Sequence, residues 1–336
     1  MRLTYYIRVF GRKNRMKYRS FPGEDLRPPY VTKQKTSQAG VQLAPCAVFG
    51  AKNTVEEIFR KTPIWKTLNP WMPVSMAVRQ YSLFLMMVRN NILAKFRHSV
   101  LGFFWLFIPP LCILLIYVYM FSVIFKLKWP DADITSRWSF GLVIYTGIIL
   151  YSGFSETLMG SLSLLLARTG IIKRVPFPLD LLSPSLAAAN FLITYAVLVL
   201  IYLISQATDG GGSWLALAYL PLTTLPLLLL TTGCSWIISA AGLFFRDLGN
   251  LLGIVLLLLF FSAPIFYDAV QIPEGYRWAL YLNPLTPVII NTRTIFFKPC
   301  APNWTLVGIS WLTGIVAFQL GFCVFMRLRR RFADVV

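Results

Sequence analysis

Residues 141–204 read "GLVIYTGIILYSGFSETLMGSLSLLLARTGIIKRVPFPLDLLSPSLAAANFLITYAVLVLIYLI". Two apolar runs, each long enough to cross a bilayer, flank a stretch that places Arg168, Lys173 and Arg174 together and follows them with Pro176, Pro178 and Pro184. A helix needs about 20 mainly apolar residues to cross the hydrocarbon core, where no water is present to satisfy an open backbone. The pattern therefore predicts two membrane-crossing helices, near 139–160 and 185–206, joined by a cationic loop stiffened by proline.

The rest of the chain repeats this alternation. Hydrophobic residues make up 57% of 336 and charged residues 13%, too apolar to cover a soluble surface. Further spans are expected at about 99–125, 214–243, 251–267 and 304–326, which makes six and an all-α polytopic membrane protein. In the first of these, Pro109 and Pro110 are expected to kink or break the helix. The 214–243 run, some 30 residues at ~1.5 Å each, exceeds the hydrocarbon thickness and is expected to tilt, or to break near Pro221, Pro226 or Gly233. Upstream, "SMAVRQYSLFLMMVRNNILAKFRH" (75–98) spaces Arg79, Arg89, Lys95 and Arg97 among apolar residues, as suits a helix lying at the membrane interface.

The net charge of +19 is concentrated at the front: residues 1–75 hold 14 Lys/Arg against 4 Asp/Glu. They are polar, broken by Pro and Gly and without helical or strand period, so residues 1–75 are expected to be disordered or an over-extended reading frame whose start lies at Met72 or Met76. The organised domain is expected over 76–336. No zinc-finger, helix-turn-helix or aromatic RNA-binding pattern accompanies the basic arm, so no nucleic-acid partner is expected, and anionic lipid headgroups are the simpler match. The first 20 residues carry seven cations and no apolar core, unlike a cleavable signal peptide. Cys46, Cys112, Cys234, Cys300 and Cys323 are scattered without metal or redox spacing.

Cation bias sets the orientation. With the amino terminus inside, the internal segments after Met76 hold 12 Lys/Arg and the external ones 6, which predicts both termini on the cytoplasmic side of the inner (cytoplasmic) membrane and makes 168–184 a cytoplasmic loop. Between the last two spans, the uncharged stretch Trp278 to Thr292 is too short to cross and is interrupted by Asn283, Pro284 and Pro287. It is expected to dip into the outer leaflet and return, which requires a protein-lined or water-filled cavity and so points to a transport path.

Catalytic and metal-binding patterns are missing from this reading. There is no GxxxxGK[ST] phosphate loop, so ATP and magnesium, if used, are expected on another subunit. His98 reads as an interfacial side chain beside Lys95 and Arg97. "DAD" (131–133) and "NWT" (303–305) are short matches to an acid pair of sugar transferases and to a glycosylation acceptor, and both are read as chance. Glu156 lies about 26 Å along its helix from Ser139 and is expected near the cytoplasmic interface rather than in an ion path. Asp247 is expected to cap or pair at the turn after the 214–243 span. Aromatic residues are abundant, and those facing an aqueous path, Phe260, Phe261, Phe266 and Tyr267 foremost, suit stacking on the apolar faces of sugar rings; Asn283 and Pro284 join them as candidate path residues.

Four stretches in series resemble landmarks of one family: "FRHSVLGFFWLFIPPLCILLIYVYMFSVIFK" (96–126), "GIIKRVPFPLDLLSPSLAAANFLITY" (170–195), "LFFRDLGNLLGIVLLLLFFSAPIFY" (243–267) and "YLNPLTPVI" (281–289). They are similar to the membrane subunit of type-2 ABC exporters for O-antigen, capsular polysaccharide or teichoic acid, over about Met76 to Arg331. The resemblance implies a homodimer of six-span permeases bound to two copies of a separate ATPase and moving a lipid-linked polysaccharide outward. It also implies that the loop between the second and third spans carries a short helix docking on the ATPase. Gly170, Lys173, Arg174, Pro176, Phe177, Pro178, Leu179 and Asp180 match that element. An exporter of a drug or small lipid is the nearer alternative; an ion-coupled secondary transporter would require paired intramembrane charges and inverted repeats, and an intramembrane transferase clustered acids or histidines, none of which is found.

Overall fold

In hydrocarbon a backbone must satisfy its own polar groups, and the long apolar runs do so as helices. A computed structural model describes residues 71–96, 108–124, 137–166, 178–209, 214–245, 247–298, 301–329 and 332, and among these every regular element is helical. In order they are α1 (Trp71–Arg79), α2 (Tyr81–Phe96), α3 (Ile108–Tyr117) continuing as a π-helical stretch Val118–Ile124, α4 (Arg137–Leu166), α5 (Leu182–Asp209), α6 (Leu215–Phe244), α7 (Leu248–Ser262), α8 (Arg277–Leu280), α9 (Thr286–Phe297) and α10 (Trp304–Arg329). Among the described residues, four stretches are long and apolar enough to cross a membrane: Phe140–Leu165, Leu179–Ala207, Leu215–Phe244 and Trp304–Arg329. Leu111–Met120 and Leu248–Ser262 are apolar but shorter.

Several boundaries differ from the sequence reading. Residues 71–75, placed there in the irregular amino-terminal segment, belong to α1, and Met72 and Met76 pack on a buried cluster built from α5, α6 and α10. The apolar run expected to span 251–267 is helical only to Ser262; Ala263 turns extended (φ −75°, ψ 143°) because the residue before Pro264 is pushed out of the helical region. Of the two alternatives for 214–243, tilt or a break, the break does not occur: α6 runs through Pro221 and Pro226 without interruption. Proline at 226 removes the N–H that would serve the Leu222 carbonyl, and the Trp311 indole on α10 donates to that carbonyl instead at 3.1 Å. The neighbouring helix thus supplies the donor that α6 lacks.

α6 and α10 form the most extensive helix pair. Glycine makes this possible: a Cβ on Gly233 would collide with the Ala317 carbonyl oxygen, one on Gly321 with the Gly233 oxygen, and one on Gly314 would lie 2.7 Å from the Pro226 oxygen. The two backbones are in contact, as small residues permit between membrane helices. Hydroxyl and amide pairs tie the other helices: Ser161 to Ser235 (2.6 Å, α4 to α6), Ser183 to Ser239 (3.1 Å, α5 to α6) and Asn190 Nδ2 to Thr157 Oγ1 (2.9 Å, α5 to α4). One apolar core runs along the bundle through Leu142, Ile148, Leu198, Leu227 and Ile289. A second sits at the end where α4 and α10 finish, around Trp236, Phe322 and Phe325, and there α1 and α2 are seated.

Candidate functional site

The opposite end of the bundle is closed by the segment between α7 and α10. Asn283 is buried and bridges its two halves: Nδ2 donates to the Leu259 carbonyl (2.8 Å) and to Ser262 Oγ (2.9 Å), while Oδ1 accepts from the Leu285 N–H (3.0 Å). The "NPL" turn is thereby fastened to the last turn of α7, where the Leu259 carbonyl also accepts the Ala263 N–H at 3.1 Å. α9 then enters the bundle, with nine of its twelve residues buried, and packs on α6, α10 and α4. Asn291 and Asn303 exchange bonds across its far side, Asn303 N–H donating to Asn291 Oδ1 at 3.0 Å. The Asn303 side chain also accepts from the Thr305 and Leu306 N–H groups (3.1 and 3.4 Å) and so caps α10. This is a structural use for the asparagine of "NWT".

Arg293 holds this arrangement together. It projects from α9 at 8% exposure, its Nε donating to the Val143 carbonyl on α4 (3.0 Å), its Nη1 to the Pro264 carbonyl, and its Nη2 to the Ile265 carbonyl (2.7 Å). Pro264 and Ile265 lie in the extended break after α7, where no helical N–H serves them. A planar fork of donors matches three carbonyls from two elements, which a point charge on a flexible stem does not. Gly147 leaves it room, because a Cβ there would stand 2.7 Å from the Arg293 Nη2 atom.

The candidate path aromatics divide. Phe260 is half-buried and touches three rings, with centroids at 4.8 Å from Tyr151, 5.4 Å from Phe261 and 5.5 Å from Phe266; Phe266 reaches Tyr117 at 6.2 Å. Phe261 is 63% exposed on the single chain. α3, α4, α7 and the break after α7 thus bring Tyr117, Tyr151, Phe260, Phe261 and Phe266 into one patch. Tyr267 turns its hydroxyl back onto the end of α7, donating to the Ser262 carbonyl at 3.1 Å. Pro284 is half-buried beside Asn283. Tyr151 was not singled out in the sequence, and Arg293 figured there only as an external cation; the signal available for Arg293 was one charge inside "VIINTRTIFF".

At the other end, Gly170, Lys173, Arg174, Pro176 and Phe177 lie outside the described residues. Pro178 is half-buried. Leu179 and Asp180 are buried within the chain itself: Leu179 joins the apolar cluster around Trp236, and the Asp180 carboxylate pairs with the Arg329 guanidinium at 3.1 Å. Close by, Lys95 Nζ of α2 meets Glu156 Oε1 of α4 at 2.7 Å, so Glu156 is an exposed ion-pair partner tying the two helices. Asp247 sits at the cap position of α7 but uses its carbonyl, which accepts from Asn250 N–H at 3.1 Å, rather than its side chain.

Comparison with known proteins gives this arrangement a context. The family described as "ABC-2 type transporter" matches residues 82–297. Two Klebsiella pneumoniae proteins, each named O-antigen export system permease protein RfbA, are 27% identical over 259 residues, covering 76% of this chain and 95% of each relative. A Myxococcus xanthus protein of the same name is 25% identical over 256 residues with the same coverage.

Proposed function

The chain belongs to the ABC-2 type transporter family, and from that premise we propose that it is the transmembrane subunit of an ABC transporter exporting lipid-linked polysaccharide across the cytoplasmic membrane. It is a multi-pass membrane permease rather than an enzyme. The observation carrying the substrate class is the likeness to three O-antigen export permeases along 95% of their length.

The remaining parts of the proposal follow from that reading. Hydrolysis of ATP with magnesium belongs to a separate ATPase, present in two copies beneath a homodimer of this chain. Six spans, counting α3 and α7 with the four longer helices, put both termini on one side of the membrane, and the bias of cations makes that side the cytoplasm in this reading. Residues 76–336 form the exporter domain, with residues 1–75 outside it apart from the start of α1. Between the last two spans, the stretch Trp278 to Thr292 is the re-entrant part of an external segment; the burial of α9 among α4, α6 and α10 supports this. The loop ahead of Leu179 docks on the ATPase, with Leu179 and Asp180 buried behind it within the chain, and the patch formed by Phe260, Phe261 and Phe266 borders the sugar path.

Deleting the gene for this chain tests the reading. Surface polysaccharide should disappear, lipid-linked polymer should accumulate inside, and a plasmid copy should restore both. Unchanged surface polymer together with a new drug or lipid sensitivity would instead identify a small-molecule exporter.

A further inference from the structure

Asp180 lies in the 3-10 turn Leu179–Leu181, between the loop 168–178 and the start of α5. Its carboxylate is nearly enclosed, with 6% of the side chain exposed against 21% for its partner Arg329 at the end of α10. Its carbonyl oxygen accepts the indole N–H of Trp236, on α6, at 3.0 Å. One residue therefore joins the end of the loop to two other helices by two separate bonds. An isolated carboxylate in this apolar cluster would be costly, and a charge so placed is retained only with its partner.

The two helices it reaches behave as one body. α6 and α10 touch backbone to backbone at Gly233, Gly314 and Gly321, and Trp311 closes the Leu222 carbonyl between them. Trp236 itself stacks against Phe318 and Phe322 of α10, at centroid distances of 5.1 and 5.3 Å. At the far end the same pair carries α9, which holds Arg293. A displacement of Asp180 thus has a continuous close-packed route to the opposite end of the bundle, through elements too tightly apposed to slide past each other.

We infer that Asp180 is a positioning residue of the transport cycle, linking the loop that ends at Pro178 through Arg329 and Trp236 to the α6–α10 pair so that movement of the loop is delivered to the external segment as well as to α4 and α5. The inference rests on the reading of that loop as the ATPase contact. Its consequence is that the Asp180 carboxylate transmits rather than binds: removing it leaves the ATPase attached and hydrolysing but separates hydrolysis from transport.

The test measures ATP hydrolysis and polysaccharide movement together in membrane vesicles holding the full chain and its ATPase, for the parent, Asp180→Asn, Arg329→Gln and Arg329→Lys. The expected result is hydrolysis close to the parent's in all four, transport per ATP lowered roughly fivefold or more by Asp180→Asn and Arg329→Gln, and transport retained by Arg329→Lys, which keeps the ion pair. A proportional fall in both readouts, or no change in either, would show an ion pair that only stabilises the fold and overturns the inference. If Asp180→Asn does not accumulate, the Arg329→Gln and Arg329→Lys pair decides by the same criterion. A parent that hydrolyses ATP but moves no polysaccharide refutes the transport reading itself, and this inference with it.

Discussion

A lone arginine inside an apolar segment is expensive unless it faces the protein interior and finds acceptors. Arg293 finds three carbonyls, on Val143, Pro264 and Ile265. Replacing it with Met strands them, at roughly 1–3 kcal/mol for each buried group left unpaired. Arg293→Met should therefore lower the thermal unfolding temperature of the detergent-solubilised protein and abolish export, and Arg293→Lys should rescue little, because one ammonium does not reproduce the fork. Gly147→Leu is the complementary probe: it leaves the charge in place but drives a side chain into the guanidinium, and should produce the same loss. Wild-type stability in Gly147→Leu would contradict the geometry. None of these partners was legible in the sequence, since an arginine's acceptors lie 28 to 150 residues away along the chain. What the sequence did carry was the oddity of a cation between Thr292 and Thr294.

Among the elements, the α6–α10 pair makes the sharpest prediction. Gly233→Val, Gly314→Val or Gly321→Val each forces the backbones apart, and protein abundance in the membrane should collapse, whereas Gly253→Ala and Gly308→Ala, which meet nothing within 4 Å, should be silent. Equal effects in both groups would disprove the close pairing. The aromatic patch is a second element-scale case. Phe261, Phe266 and Tyr267 replaced together by Ala should shorten or abolish surface polysaccharide at normal protein level, while Leu at Phe261 and Phe266 should fail to restore it if the rings stack on sugars. Full function in both versions would make the rings a lipid-facing belt. The Tyr267 hydroxyl bonds to the end of α7, so Tyr267→Phe is needed beside the triple variant to separate path from capping. Helices were readable here because apolar runs have few alternatives in hydrocarbon. The continuity of α6 was not, because the donor that tolerates Pro226 comes from Trp311, 89 residues beyond the Leu222 carbonyl it serves.

For the whole molecule, the order of apolar runs carried the all-helical membrane architecture, while the seating of α1 and α2 on the Trp236 cluster required the third dimension: their pattern said only that they prefer an interface. Removal of residues 2–70 should leave insertion and export intact, since the family match begins at residue 82; removal through Arg79 should impair both, because Met72, Met76 and Ala77 cover that cluster. The central claim is that this chain, with a separate ATPase, carries lipid-linked polysaccharide across the membrane. Inside-out vesicles expose the cytoplasmic face, so an added glycosidase digests any polymer that has not been moved inward. Protection of the polymer should rise with time only when this chain, its ATPase and hydrolysable ATP are all present. Polymer that stays fully digestible while ATP is consumed would contradict the account.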